Sequence, residues 1–130
     1  VVINRVNSTE YLGKCALIPQ LIEPTVFESN MMRLRLDTSK VVPAFFTRVL
    51  QSKYVKDQIL RRAKQAVNQA SINQQDVLGF QVPLPPLRLQ QEFASRVQTI
   101  ERLKAKQRQS ESEMDALFMS LQDTAFRGKL

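Results

Sequence analysis

The sequence predicts an α+β protein: a lobe of short strands and helices over residues 1–85, followed by one long coiled-coil-forming helix over residues 86–130. Three observations predict this. Apolar residues alternate with period two in the early segments, their spacing changes to three-and-four after Pro43, and neither Pro nor Gly interrupts the chain from Leu87 to about Arg127.

The opening residues Val1 to Ile3 read as a strand, followed by a polar excursion through Asn4, Arg5, Asn7, Ser8 and Thr9. A second strand is expected around Cys15 to Ile18, with Gly13 where a turn or bulge is needed. In "NMMRLRLD", Met32, Leu34 and Leu36 share one face and Arg33 and Arg35 the other, as in a half-buried strand with a basic outer face. Pro43 suits a first helical turn. Phe46, Val49 and Leu50, then Val55, Ile59, Leu60, Ala63 and Val67, recur at helical spacing, which fits one interrupted helix or two short ones. Arg48, Lys53, Lys56, Arg61, Arg62 and Lys64 fall on the outward positions.

In "SINQQD", Ser71 or Asn73 caps a short helical turn, and Asp76 follows Asn73 at capping-box spacing. "FQVPLP" alternates Phe80, Val82 and Leu84 inward, and Pro83 confines such a strand to a sheet edge. Pro85 and Pro86 stop the sheet and preset the first turn of the final helix, while Gly128 stands where its C-terminal cap belongs. Roughly 40 residues at about 1.5 Å each give a rod of about 60 Å. A four-three walk along it reads Phe93, Val97, Ile100, Lys104, Gln107, Glu111, Met114, Phe118, Leu121 and Ala125, apolar at both ends and polar in the centre. Either this stripe packs back on its own lobe or it pairs with another helix, and its length favours pairing.

Composition removes most chemistry. With no histidine and Cys15 as the single cysteine, intrachain disulfides, zinc clusters and Ser-His or Cys-His nucleophiles are excluded. Three glycines in none of the phosphate-loop spacings argue against nucleotide binding, and no closely spaced acidic set suggests a nuclease metal. No cofactor and no metal is expected. No apolar run reaches membrane-spanning length and the start lacks a signal-peptide layout, so no membrane contact and a cytoplasmic location are expected. The net charge of +7 points to an anionic partner, nucleic acid first. The excess is local: residues 1–70 carry eleven Lys/Arg against five Asp/Glu.

The segment "AKQAVNQASINQQDVLGFQVPLPPLRLQQEFASRV", with "EMDALFMSLQDTAFRGKL" at the far end of the helix, resembles the specificity (S) subunit of type I restriction-modification enzymes. There a recognition domain closes in a Ser/Asn turn, a short strand and "PLPPL-x-x-Q", and the helix closes in a tail matched here by Leu117, Ser120, Leu121, Ala125, Phe126, Gly128 and Leu130. The upstream "INRVNSTEYLGKCALIP", "ESNMMRLRLD" and "PAFFTRVLQSKYVKDQI" are similar to the family's preceding loop, strand and helices, so the resemblance covers essentially the whole chain. Family members usually carry two recognition domains and two long helices. This chain resembles the later part of one half: a partial target-recognition domain and its helix, as a fragment, a truncated product or a homodimerising half-subunit.

The resemblance implies a non-catalytic subunit that reads double-stranded DNA, holds the methyltransferase subunit on it and, through that, the restriction subunit. Residues 1–85 would face DNA and residues 86–130 protein, including a second copy of the chain through the long helix. On the first polar loop Arg5, Asn7 and Ser8 suit base edges and Lys14 phosphate, against the alternative of a merely solvated loop. Arg33 and Arg35 either touch phosphate or form a wet basic face. Lys64, Asn68 and Asn73 are donor-rich candidates at a helix end, with capping as the other role of Asn73. Phe93, Val97, Ile100, Met114, Phe118, Leu121 and Ala125 form the proposed helix-partner interface.

Overall fold

A computed structural model describes residues 1–128. The order of elements is β1 (Val2–Asn4), β2 (Val6–Asn7), β3 (Cys15–Ala16), β4 (Met31–Arg33), α1 (Pro43–Leu50), α2 (Lys53–Arg62), β5 (Lys64–Ala66), β6 (Gln69–Ser71), α3 (Gln74–Leu78) and α4 (Leu87–Phe126). This is the α+β architecture that the patterning predicts. The chain divides into two compact units, the first Val1–Ala94 and the second beginning at Ser95. The first unit contains every strand, the three short helices and the opening two turns of α4.

Two small antiparallel sheets share one run of chain. The order β3-β1-β4 sets Val2 opposite both Ala16 and Arg33, and the order β2-β6-β5 sets Val6 opposite Ser71, which in turn faces Lys64. Arg5 alone separates β1 from β2, so the strand crosses from one sheet to the other at that residue. Its N–H donates to the Asn30 carbonyl at 2.8 Å and its carbonyl accepts from Ile72 at 2.9 Å, leaving both backbone groups satisfied through the crossing.

The core under these sheets is Ile3, Leu12, Leu50, Val55, Ile59, Ala70 and Ile72, with Met32, Leu34, Phe46, Val49, Phe80 and Val82 packed against it half-buried. Along 31–36 burial alternates as the sequence predicts: Met32, Leu34 and Leu36 are sheltered while Arg33 and Arg35 are exposed. α1 begins at Pro43, and α2 is capped by the Ser52 hydroxyl. Gly13 has φ +79, and a side chain there would run into Ile59. Only glycine fits this turn without strain.

Three expectations are corrected. The helical spacing does not continue to Val67: α2 ends at Arg62, Ala63 is extended (φ −62, ψ 129), and Lys64 to Ser71 form a β-hairpin turned by Val67 and Asn68. Asn68 takes φ +62, a conformation its short polar side chain tolerates. "FQVPLP" forms no strand and Leu84 is exposed, because prolines at 83, 85 and 86 remove the N–H groups that a ladder uses. Instead the Gln58 side chain pairs with Gln81 in both directions, donating to its carbonyl at 2.8 Å and accepting its N–H at 2.9 Å. The second strand stops at Ala16 rather than Ile18, three positions before Pro19.

The start of α4 is fixed by Gln90, which has no exposed surface. Its Oε1 accepts the Val42 N–H at 2.9 Å, and its Nε2 donates to the carbonyls of Lys40 (3.1 Å) and Pro85 (2.7 Å). The glutamine of "PLPPL-x-x-Q" thus ties α4 to the residues leading into α1. At the other end Gly128 has φ +63 and follows the last turn as expected of a cap. Leu130, part of the predicted tail, lies outside the described residues. Among the described residues no helix is long and apolar enough to cross a membrane.

Candidate nucleic-acid interface

The pairing of β2 with β6 brings together segments more than sixty positions apart. The loop that leaves Asn7 therefore starts beside the hairpin that turns at Asn68. That loop is internally built. The Ser8 carbonyl accepts from Tyr11 and Leu12, the Asn7 Oδ1 accepts from the Ser8 N–H at 2.8 Å, and Gly13 N–H returns to the Asn4 carbonyl at 2.9 Å. Leu12 anchors it in the core.

Lys56, an outward position by helical spacing, is instead the latch of this loop. Its ammonium donates to the carbonyls of Thr9 (3.0 Å), Glu10 (3.1 Å) and Leu12 (2.7 Å). Burial, and secondarily the charge of Lys14, lower its pKa. Lys14 is exposed, and its ammonium sits 3.9 Å from the centre of the Tyr11 ring. Three carbonyls converging on one Lys are hard to foresee from spacing, since no side-chain partner marks them.

The remaining candidates separate. Side chains of paired residues share a sheet face, so Asn7, Ala70 and Gln65 lie on one face of the second sheet and Ser71, Lys64 and Gln69 on the other. Ala70 is buried on its face, while Gln65 on that face and Lys64 and Gln69 on the other are exposed. Lys64, Asn68 and Gln69 are exposed on the hairpin. Gln65 and Gln69 add amide donors on β5 and β6 that a helical spacing through Val67 does not mark. Asn73 is occupied as a cap: its Oδ1 accepts the Asp76 N–H at 3.0 Å and the Asp76 carboxylate accepts the Asn73 N–H at 2.8 Å.

Arg33 and Arg35 lie at the Val1–Val2 end of β1, away from the Asn4 end where the loop and hairpin meet. They border a groove of about 540 Å³ with Gln74, Leu78 and Phe80. At the sheet crossing, the Asn4 Oδ1 and Arg5 Nε are buried and have no hydrogen-bond partner among the described residues. Arg5 is thereby held as much in the crossing as in the loop.

On α4 the predicted seam residues fall in different settings. Phe93 meets Phe45 edge-on, with ring centres 5.6 Å apart at 87°, so it packs on its own lobe while staying partly exposed. Val97 is half-buried, and Ile100, Met114, Phe118, Leu121 and Ala125 are exposed. Leu103, Leu117, Met119 and Phe126 add to the exposed apolar surface, and 89% of Phe126 is accessible.

Among the described residues no group of His, Cys, Asp or Glu is placed to hold a metal ion. Asp57 pairs with Lys53 at 2.9 Å, and Asp37 accepts from the Ser39 hydroxyl at 2.6 Å, which lowers its pKa. Both act locally at the surface.

Residues 4–113 match the profile of the family described as "Type I restriction modification DNA specificity domain". The chain is 33% identical over 94 residues to the "Putative type I restriction enzyme MjaX specificity subunit" of Methanocaldococcus jannaschii, an alignment covering 72% of this chain and 22% of that protein. It is 27% identical over 108 residues to the "Type I restriction enzyme StySPI specificity subunit" of Salmonella potsdam, covering 80% of this chain and 23% of that one. The chain therefore spans less than a quarter of the length of these relatives. No solved structure matches it significantly. The chain belongs to the type I restriction modification DNA specificity domain family.

Proposed function

We propose that residues 1–85 read double-stranded DNA and residues 86–130 hold protein partners on it, as part of a type I specificity subunit without catalysis of its own. The observation that supports this reading is the β2–β6 pairing, which starts the polar 7–14 loop, with Lys14, beside the 64–71 hairpin, with Lys64. Lys14 and Lys64 contact phosphate, and Asn7, Ser8, Asn68 and Arg5 supply amide, hydroxyl and guanidinium groups for base edges. Arg33 and Arg35 reach the backbone further along the duplex, and Asn73 acts through its cap. The methyltransferase subunit docks on α4, and the restriction subunit joins through it.

Fluorescence anisotropy of a labelled duplex across a salt series tests the DNA reading. The affinity should fall steeply with salt, and Lys14→Ala and Lys64→Ala should each reduce the log–log slope by about one. Correctly folded chain that fails to retain duplex at low salt would refute it.

A second reading, a protein-interaction module that binds no specific DNA, is favoured by one observation: Met114, Leu117, Phe118, Met119, Leu121 and Phe126 are all exposed. Salt-insensitive capture of the methyltransferase subunit, with no duplex bound, would select it.

A further inference from the structure

Lys56 touches the candidate DNA loop without belonging to it. The turn that follows Ser8 satisfies two of its carbonyls from its own backbone: Ser8 accepts from Tyr11 and Leu12, and Tyr11 accepts from Lys14. The carbonyls of Thr9, Glu10 and Leu12 take no backbone N–H among the described residues, and all three accept from the Lys56 ammonium at 2.7–3.1 Å. An ammonium has three hydrogens and no acceptor, so three carbonyls use it fully. Nothing is left for a phosphate. Bonds from a charged donor are also stronger than neutral ones, and these close contacts between positions 44 to 47 apart.

The base on which this latch stands is fixed. Val55 and Ile59, which flank Lys56 on α2, are buried with Leu12 in one core, and a side chain at Gly13 would run into Ile59. The loop is thus held against α2 through its carbonyls, through Leu12 and through Gly13. The candidate DNA groups stand on both sides of these points, Asn7 and Ser8 just before them and Lys14 just after. Lys14 and Lys56 line one cavity of about 400 Å³, and burial followed by the Lys14 charge lowers the Lys56 pKa. Without the ammonium the three carbonyls must turn toward water, which rotates their peptide planes and displaces the residues on either side.

We propose that Lys56 is a positioning residue for DNA reading by this lobe: it touches no nucleic acid, and by fixing the 7–14 loop it sets how sharply one duplex sequence is distinguished from another. The proposal rests on the DNA reading above and adds to it a residue outside the contact surface. It separates two kinds of lysine. Lys14 supplies charge to phosphate, which changes affinity for every sequence alike, whereas Lys56 supplies geometry, which contacts to base edges need to within about 0.5 Å.

Lys56→Met keeps the unbranched stem and removes the ammonium, and Lys53→Met removes one charge from an exposed position of the same helix as a control. Amide hydrogen exchange without DNA should be faster at Tyr11, Leu12 and Gly13 in Lys56→Met and unchanged in Lys53→Met. For binding, a pool of random-sequence duplexes selected on the parent chain supplies a preferred duplex, whose affinity is compared with that of an unselected one by anisotropy across a salt series. Lys56→Met should lose about tenfold or more of the ratio between the two, with the salt slope of Lys53→Met. A partly unfolded chain would weaken both duplexes equally and leave the ratio intact. Unchanged exchange or an unchanged ratio would overturn the proposal while the DNA reading stands. A slope lower than the control's by about one would also overturn it, because Lys56 would then be a phosphate contact, and so would a parent that retains duplexes but enriches none. A parent that retains no duplex would remove the DNA reading itself, and the proposal with it.

Discussion

Gln90 lies one turn inside α4, and its amide serves three backbone groups from two other segments. Replacing it by Leu keeps the volume but strands the Val42 N–H and two carbonyls, at a cost of about 2–4 kcal/mol in urea unfolding. Gln90→Glu should be worse at neutral pH, because a carboxylate oxygen would then face the Lys40 and Pro85 carbonyls. Such a carboxyl binds its proton more tightly in the folded state, so the deficit should shrink as pH falls and the protonated acid donates again. A Glu variant as stable as the parent at neutral pH would mean that Nε2 donates nothing that matters. Cys15 makes the opposite point about reactivity. Its thiol faces the Thr47 carbonyl at 3.7 Å, and burial raises its pKa from 9.0 to about 11. With the thiolate that scarce, reaction with a disulfide reagent near pH 8 should run roughly 100-fold slower than for a free thiol. Between pH 9 and 11 the unfolded chain loses this proton and the folded chain keeps it, so this group's contribution to stability declines as pH rises through that window.

The turns and the hairpin show where local patterning stops being informative. Gly13 and Gly79 look alike as letters. Gly13 has positive φ with the core residue Ile59 against it, while Gly79 has ordinary helical angles and faces only the end of the Arg62 side chain. Gly13→Ala should therefore cost about 2–4 kcal/mol, and Gly79→Ala should stay within about 1 kcal/mol, both read from chemical unfolding. Equal losses would contradict this account. The strand alternation at 31–36, the Pro43 helix start, the Asn73–Asp76 capping box and the uninterrupted α4 were legible because each is set by neighbours within one turn or one pleat. The hairpin at 64–71 was not. Ala63, Lys64, Ala66 and Val67 continue a helical spacing, and the competing strand depends on pairing with Val6 and Asn7, far away in sequence. The same long-range pairing explains why the glutamines of the hairpin escaped the list of candidates.

At the scale of the whole molecule, the basic first half and the apolar ends of α4 were visible in composition and spacing, whereas the junction of loop and hairpin exists only once the chain has folded. On the proposed function, one substitution in α4 tests assembly and its link to DNA binding together. Leu121 is about half exposed in the isolated chain and lies in the second unit, remote in sequence from every buried core residue of the first. Leu121→Asp would place an unpaired charge in the proposed helix-partner seam, and removing it from water there is costly. The variant should therefore sediment as a monomer while its lobe unfolds at the parent's midpoint. If the proposed dimer offers two basic lobes to one duplex, the monomeric variant should bind DNA more weakly and with about half the salt slope. Glu113→Asp, which keeps the charge at an exposed position outside the seam, should leave mass and slope unchanged. If Leu121→Asp remained dimeric, the seam would be misassigned. If it were monomeric with an undiminished salt slope, a single lobe would account for all the phosphate contacts, and pairing through α4 would serve the methyltransferase alone.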